Sequence, residues 1–361
     1  MSINWMRYFE ILLEDNKESV RLSDLKVEFK IDTDVASSGS SALITVYNLS
    51  QATSNAIMRG EYKKLRVSAG YSGVTPEANS SDQETIPVVP AWMVGKVQEN
   101  PPVQAEEQHY GEVFSGEIRY AWLDKSGTGT ANGVDRVLKI QAIDGHKAVM
   151  EASLNTTVAA GYEPATLHTL MMRSFNPYGV TAGATGKMPT TRFPRGRVFY
   201  QTTAQAMDNV AAQCRASWQF VDGKLQMVPE ENYVNRITVL NSQTGMVASP
   251  TLTAEGITLK CLINPTISLH SLVQVNQAML SQTYYSMGAV NKAAAKGDEK
   301  QHKANKAGDE QGKLPADISA DGVYIVKGIS YLGDTRGTNW YMTLTCVVRD
   351  KQTPLESTTH S

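Results

Sequence analysis

The chain has 361 residues, of which 41% are hydrophobic and 19% charged, and its formal net charge is −2. That length exceeds one ordinary core and implies two or three domains, while the composition excludes a disordered polymer. The near balance of charge gives no global electrostatic case for nucleic-acid binding, and no apolar run approaches the roughly 20 residues that span a bilayer.

The N-terminal residues lack a basic stretch followed by an apolar one, so no signal peptide is expected. Cys214, Cys261 and Cys346 lie far apart, each inside an apolar pattern, and are expected to be reduced core thiols of a protein made in a cytoplasm. Residues 5–13 read as a strand. In 25–31, Leu25, Val27, Phe29 and Ile31 alternate with Lys26, Glu28 and Lys30, the pattern of a half-buried strand. A polar hairpin at 36–41 leads into a strand at 42–49. Ser50 is placed to cap a short helix ending near Gly60. Leu65, Val67, Ala69 and Tyr71 alternate again.

Residues 74–112 break the pattern with five prolines and an excess of acids (Glu77, Asp82, Glu84, Glu99, Glu106, Glu107, Glu112) over the single base Lys96. A loop of that length is unusual inside a compact domain, so it reads as an excursion, with Trp92 to Val97 as a possible strand of its own. Strands resume at Val113–Ile118. After a Gly-rich turn at 126–133, Leu138, Ile140 and Ala142 alternate with Lys139 and Gln141, and Asp144-Gly145 closes that strand. Strands at this spacing suggest a small antiparallel barrel over 1–146.

From about residue 147 the period changes to 3.6. Leu167, Leu170, Met171 and Ser174 share a helical face between Pro164 and Asn176-Pro177. Thr202 and Gln205 form a capping-box pattern ahead of Met207, Val210, Ala211 and Cys214. Trp218 to Met227 is a hairpin with an Asp222-Gly223 turn. Residues 147–235 are therefore expected to be a mixed α/β module. A second β-rich part, 236–352, contains strands 257–262 and 272–275 around an Asn264-Pro265 corner, then strands 323–329 and 340–349. It is interrupted at 288–315 by a mildly basic low-complexity stretch, and the tail after Pro354 is polar.

Few residues here suggest chemistry. Gly183-Ala184-Thr185-Gly186-Lys187 resembles a phosphate loop, but Thr181 stands where the first glycine belongs and Met188 where a Mg²⁺-binding hydroxyl belongs; a loop feeding the next segment is the better reading. That segment holds the tight basic cluster Arg192, Arg195 and Arg197, for which a protein partner or plain solvation is favoured over nucleic acid. The six histidines (109, 146, 168, 270, 302, 360) show no metal-ligand spacing, and no nucleophile elbow or reactive-cysteine context is present. No catalytic, cofactor-binding or metal-binding residue is assigned. Asp334, Thr335 and Arg336 sit in Gly333-Asp-Thr-Arg-Gly337, which an ordinary tight loop explains, with Asp334 or Thr335 bonded to backbone amides and Arg336 in an ion pair. If the loop has a function, contact between subunits or with a partner is expected, through Asp334, Arg336 and Trp340.

Four stretches, in order, resemble the hub proteins of bacteriophage tail baseplates. They are Leu25–Phe29 with Ala42–Ser50; Phe114-Ser-Gly-Glu-Ile118 with Ile143-Asp-Gly145; Gly245–Val275; and Asp321–Val326 continuing through Gly333–Tyr341. Where that family often has Pro-Gly, this chain has His270-Ser271, so a different turn is expected there.

The resemblance implies a mainly β chain with two tail-tube-like antiparallel barrels flanking a smaller α/β module. It implies a homotrimeric ring in which paired barrels let threefold symmetry meet a sixfold tail tube, with a trimeric central spike on the other face. Tail tube protein, spike and other baseplate proteins would be partners. Tape-measure protein and DNA would be passengers in the channel, and the location would be the virion. No cofactor is implied. Segments 74–112 and 288–315 would be docking arms that order on neighbouring proteins. A tail-associated cell-wall hydrolase or peptidase, or a spike or tail-completion protein, are the alternatives.

Overall fold

Alternation of apolar and polar residues dictates the first element of the computed structural model, which describes residues 7–15, 19–35, 39–71, 109–124, 136–230, 232–234, 236–242, 244–253, 256–275, 322–349 and 353–354. Strand β1 (Arg7–Glu14) buries Phe9, Ile11 and Leu13 and leaves the residues between them half-buried. Then come β2 (Ser19–Leu22), β3 (Val27–Asp34) and β4 (Ser41–Tyr47). Helix α1 (Gln51–Met58) begins where expected, because the Ser50 hydroxyl accepts from the Thr53 amide at 3.1 Å. Next are β5 (Lys64–Tyr71), β6 (His109–Asp124) and β7 (Val137–Ile143).

The mixed module follows as α2 (His146–Glu151), β8 (Ser153–Val158), α3 (Pro164–Phe175), β9 (Thr181–Thr185), β10 (Arg197–Thr202), α4 (Thr203–Gln213), β11 (Ala216–Val221) and β12 (Lys224–Pro229). The chain continues with β13 (Asn232–Tyr233), β14 (Ile237–Leu240), β15 (Thr251–Leu252), β16 (Gly256–Leu262), β17 (Leu272–Val275), β18 (Val323–Asp334), β19 (Trp340–Val348) and β20 (Thr353–Pro354). The protein is mainly β with large antiparallel sheets and a smaller α/β part, as the sequence implied.

The strands expected in two barrels share one 13-stranded sheet, ordered β15-β16-β19-β18-β3-β4-β7-β6-β5-β1-β2, with β17 joining β18 and β14 joining β17. The seam is β3 against β18, antiparallel from Gly328↔Asp34 to Asp334↔Glu28. One buried cluster runs beneath both halves, from Ile11 and Leu13 through Phe29, Ile44 and Leu138 to Leu259, Met342 and Leu344.

The sheet rolls until distant strands touch. Phe9 stacks on Phe29 at 5.1 Å, and the Trp340 ring meets both edge-on at 6.2 and 5.4 Å. The Trp340 indole N–H donates to the Gly70 carbonyl at 3.3 Å, so β19 touches β5 although five strands lie between them in the ladder. Gly333 makes this possible: a Cβ there would lie 2.3 Å from the Phe29 ring.

The module has its own core, in which Leu167, Met171 and Phe175 of α3 and Met207 and Val210 of α4 pack on Trp218, Phe220, Leu225 and Met227. It meets the large sheet at Gly145, whose φ of 64° is left-handed and where a Cβ would lie 2.3 Å from Phe220.

Some details differ from the sequence reading. Residues 181–185 form strand β9, paired in parallel with β12, where a loop was expected. Strand β18 runs on to Asp334 because β3 pairs with its second half. Strand β6 begins at His109, inside the expected insertion. Strand β2 was not anticipated; of its four residues only Leu22 is buried. The expectations for Trp92–Val97, for 126–133, for 288–315 and for the tail after Pro354 lie outside the described residues.

Candidate functional site

The loop after β18 is the first candidate, and it is bonded to β1 and to the segment that enters β3. The Asp334 carboxylate accepts from the Arg336 amide at 2.9 Å. The Thr335 hydroxyl accepts from the Val27 amide at 3.0 Å and donates to the Leu25 carbonyl at 3.1 Å. The Arg7 guanidinium donates to the carbonyls of Asp334 and Gly337 and lies 5.4 Å over the Trp340 ring. The loop is thus riveted to β1 and to the entry of β3.

Two expectations change here. Arg336 donates to the Asp24 carbonyl at 2.9 Å, where an ion pair was expected. Trp340 is 1% exposed, so its role is to hold the rolled sheet from within, and it offers no surface to a partner. Asp334 stays half-buried and Arg336 exposed. Among the described residues, no histidine or second carboxylate joins the hydrogen bonds of this loop.

The arginine cluster is the second candidate. Arg192 pairs with Glu163 at 3.0 Å, and Phe193 stacks on Tyr162 at 4.9 Å. Backbone bonds Phe193 N–H to Tyr162 carbonyl and Gly161 N–H to Phe193 carbonyl pin the segment further. Arg195 is exposed, and the Arg197 guanidinium lies 4.9 Å over the Phe199 ring. The three arginines therefore stay together on a fixed turn that feeds β10.

Sequence reasoning missed two buried titratable groups. Asp144, read as half of a turn, is 3% exposed, and both its oxygens face the Gly223 amide, at 3.2 and 3.3 Å. Burial pushes its carboxyl up to about 7, the Gly223 N–H partly offsets this, and the Asp222 and Glu117 charges add to the rise. It ties the β11–β12 turn to the large sheet. Two glycines crowd it: a Cβ at Gly39 or Gly116 would meet the Asp144 backbone at 2.5 or 3.0 Å. The sequence signal was a cluster of close-approach glycines, visible only once the fold brings them together.

His270 is the other. It is 1% exposed with φ of 61°, a left-handed conformation rare outside glycine. Its Nδ1 lies 3.5 Å from the Lys327 ammonium. Burial, then the Lys327 charge, drop its pKa to about 3 and keep the ring neutral. Its backbone N–H donates to the Val326 carbonyl while its carbonyl accepts from Val234, so the turn locks β18 to the end of the module. Both groups are structural in their contacts. Cys214, Cys261 and Cys346 are free and buried. Among the described residues, no group of three or more His, Cys, Asp or Glu side chains could hold a metal ion.

No family model and no curated protein matches the sequence. Solved structures do match the fold. The 43 kDa tail protein of prophage MuSo2 from Shewanella oneidensis overlays 95% of this chain and 99% of its own at TM-score 0.50 and 8% identity. A tail protein from Neisseria meningitidis MC58 overlays 96% of this chain and 98% of its own at 0.49 and 10%. The E. coli c3393 protein, a component of the type VI secretion system, overlays 92% of this chain and 76% of its own at 0.43 and 8%. The fold is similar to that of the MuSo2 tail protein.

Proposed function

We propose that this chain is the structural hub of a phage tail baseplate, a homotrimeric ring that joins a sixfold tail tube to a trimeric central spike. The observation that carries this reading is the end-to-end match of fold with the MuSo2 tail protein, over 95% of this chain and 99% of that one.

In this reading residues 1–146 and 236–352 supply two similar β halves, and 147–235 the module between them. Three chains would then present six halves to the tube, so that threefold symmetry imitates sixfold on one face. Asp334 and Arg336 are the surface groups proposed to meet neighbouring chains or baseplate proteins. DNA and tape-measure protein would pass through the ring without a binding site on it.

The test is localisation in assembled particles with an antibody or a fused tag imaged by electron microscopy. Label at the distal end of the tail tube supports the hub. Label absent from tails, together with a cleared zone on a peptidoglycan zymogram, would replace it with the hydrolase reading.

A further inference from the structure

Of the three most exposed large apolar side chains among the described residues, two lie on one strand of the module and the third lies just ahead of its partner strand. Tyr200 is 86% exposed and Val198 71%, both on β10, and Met150, 66% exposed, ends α2 just ahead of β8. Strands β8 and β10 form a two-stranded ribbon with no third strand among the described residues. Its register sets Val198 opposite Thr157 and Tyr200 opposite Asn155, whereas Phe199, 2% exposed, points into the module's core. Strand alternation gives the core only one face of the ribbon, so nothing in the module's own packing requires the outer positions to be apolar. The ribbon's outer edges also present backbone groups able to accept another strand. The arginine turn stands at the entrance to β10, and Arg195 and Arg197 have no carboxylate partner among the described residues.

We propose that this ribbon is the docking seat of the chain's own acidic segment, residues 72–108. The segment carries Glu77, Asp82, Glu84, Glu99, Glu106 and Glu107 against the single base Lys96, so its charge is opposite to that of the Arg192–Arg197 turn. It also carries Val88, Val89, Trp92, Met93 and Val94, apolar residues suited to cover Val198 and Tyr200. Reach does not limit it. Tyr71 and His109 face each other in the β5–β6 ladder, so both ends of the segment leave from one hairpin mouth. Half of the segment, extended, reaches about 60 Å, beyond the roughly 50 Å breadth of a compact chain of this length. The inference goes beyond the hub reading and stands without it.

The Tyr71–His109 pairing supplies the experiment, because an Asn-Gly turn can replace 72–108 without breaking the ladder. A fluorescent peptide of residues 72–108 is titrated onto this loopless chain, with anisotropy as the readout. Saturable binding is expected, weakened by about tenfold or more in V198E/Y200E and in R195E/R197E, and weaker on the full chain, whose own segment competes. A peptide of scrambled order should bind at least about tenfold less well. Arg195, Val198 and Tyr200 are exposed and Arg197 is half-buried, and circular dichroism checks that the variants stay folded. Absence of binding, equal binding by the scrambled peptide, or binding unchanged in V198E/Y200E would overturn the proposal. So would self-association of the loopless chain that V198E/Y200E abolishes while no peptide binds, since the ribbon would then join copies of the chain.

Discussion

Replacing Asp144 by asparagine should stabilise the protein at neutral and alkaline pH. Asp144 is 3% exposed, and its carboxylate accepts from the Gly223 amide with a lesser contribution from the Asp222 amide. Burial is the largest cause of a rise from the ordinary 3.8 to about 7. A folded pKa above the unfolded one means that the group's contribution to stability is complete below about 3.8 and is lost as pH rises through about 7. At about 1.4 kcal/mol per unit, roughly three units correspond to a loss on the order of 4 kcal/mol by pH 8. Asparagine keeps an oxygen for the Gly223 N–H and removes the buried charge that the Asp222 and Glu117 charges oppose. Urea unfolding of both proteins at pH 4, 6 and 8 measures this. Stabilities should coincide near pH 4 and diverge by about 2–4 kcal/mol in favour of Asp144→Asn at pH 8. A variant less stable than the parent at pH 8 would refute the reasoning, because the charge on Asp144 would then hold the Gly223 turn more strongly than burial penalises it.

Trp340→Ala removes the ring that closes the rolled sheet and its bond to Gly70, and should cost about 3–5 kcal/mol in chemical denaturation. Gly333→Ala forces a methyl group into the Phe29 ring and should lower the unfolding temperature markedly, whereas Gly333→Ala combined with Phe29→Leu should recover part of the loss. Ser50→Ala removes the α1 cap and should cost about 1 kcal/mol by the same assay. His270 has a folded pKa depressed to about 3, so the stability it contributes is present above 6.5 and is lost as pH falls below that value. His270→Gln should show no such acid-side loss when its pH–stability profile is subtracted from the parent's.

The elements that repeat locally could be read from the sequence. Val27, Phe29 and Ile31, or Leu138, Ile140 and Ala142, fix their strands because the pleat sends alternate residues to one face. Ser50, Thr202 and Asp222-Gly223 announced two caps and a hairpin for equally local reasons. What stayed hidden depends on distant partners. The β3–β18 seam joins residues about 300 positions apart, and its only local trace is Gly333, a glycine whose reason is the Phe29 ring. Residues 181–185 looked like a loop because Thr-Ala-Gly-Ala-Thr lacks apolar alternation; β12 makes them a strand by backbone pairing alone. Trp340 invited a surface role because aromatics favour interfaces, yet its ring and its N–H are both satisfied within the chain.

The central claim is a hub built of three copies, and native mass tests it most directly. Light scattering on the purified protein, with and without its tail tube protein, should give three times the 39.4 kDa chain, and negative-stain images should show closed rings with a central opening. A protein that remains a monomer at high concentration, in the presence of tube protein as well, would contradict the account.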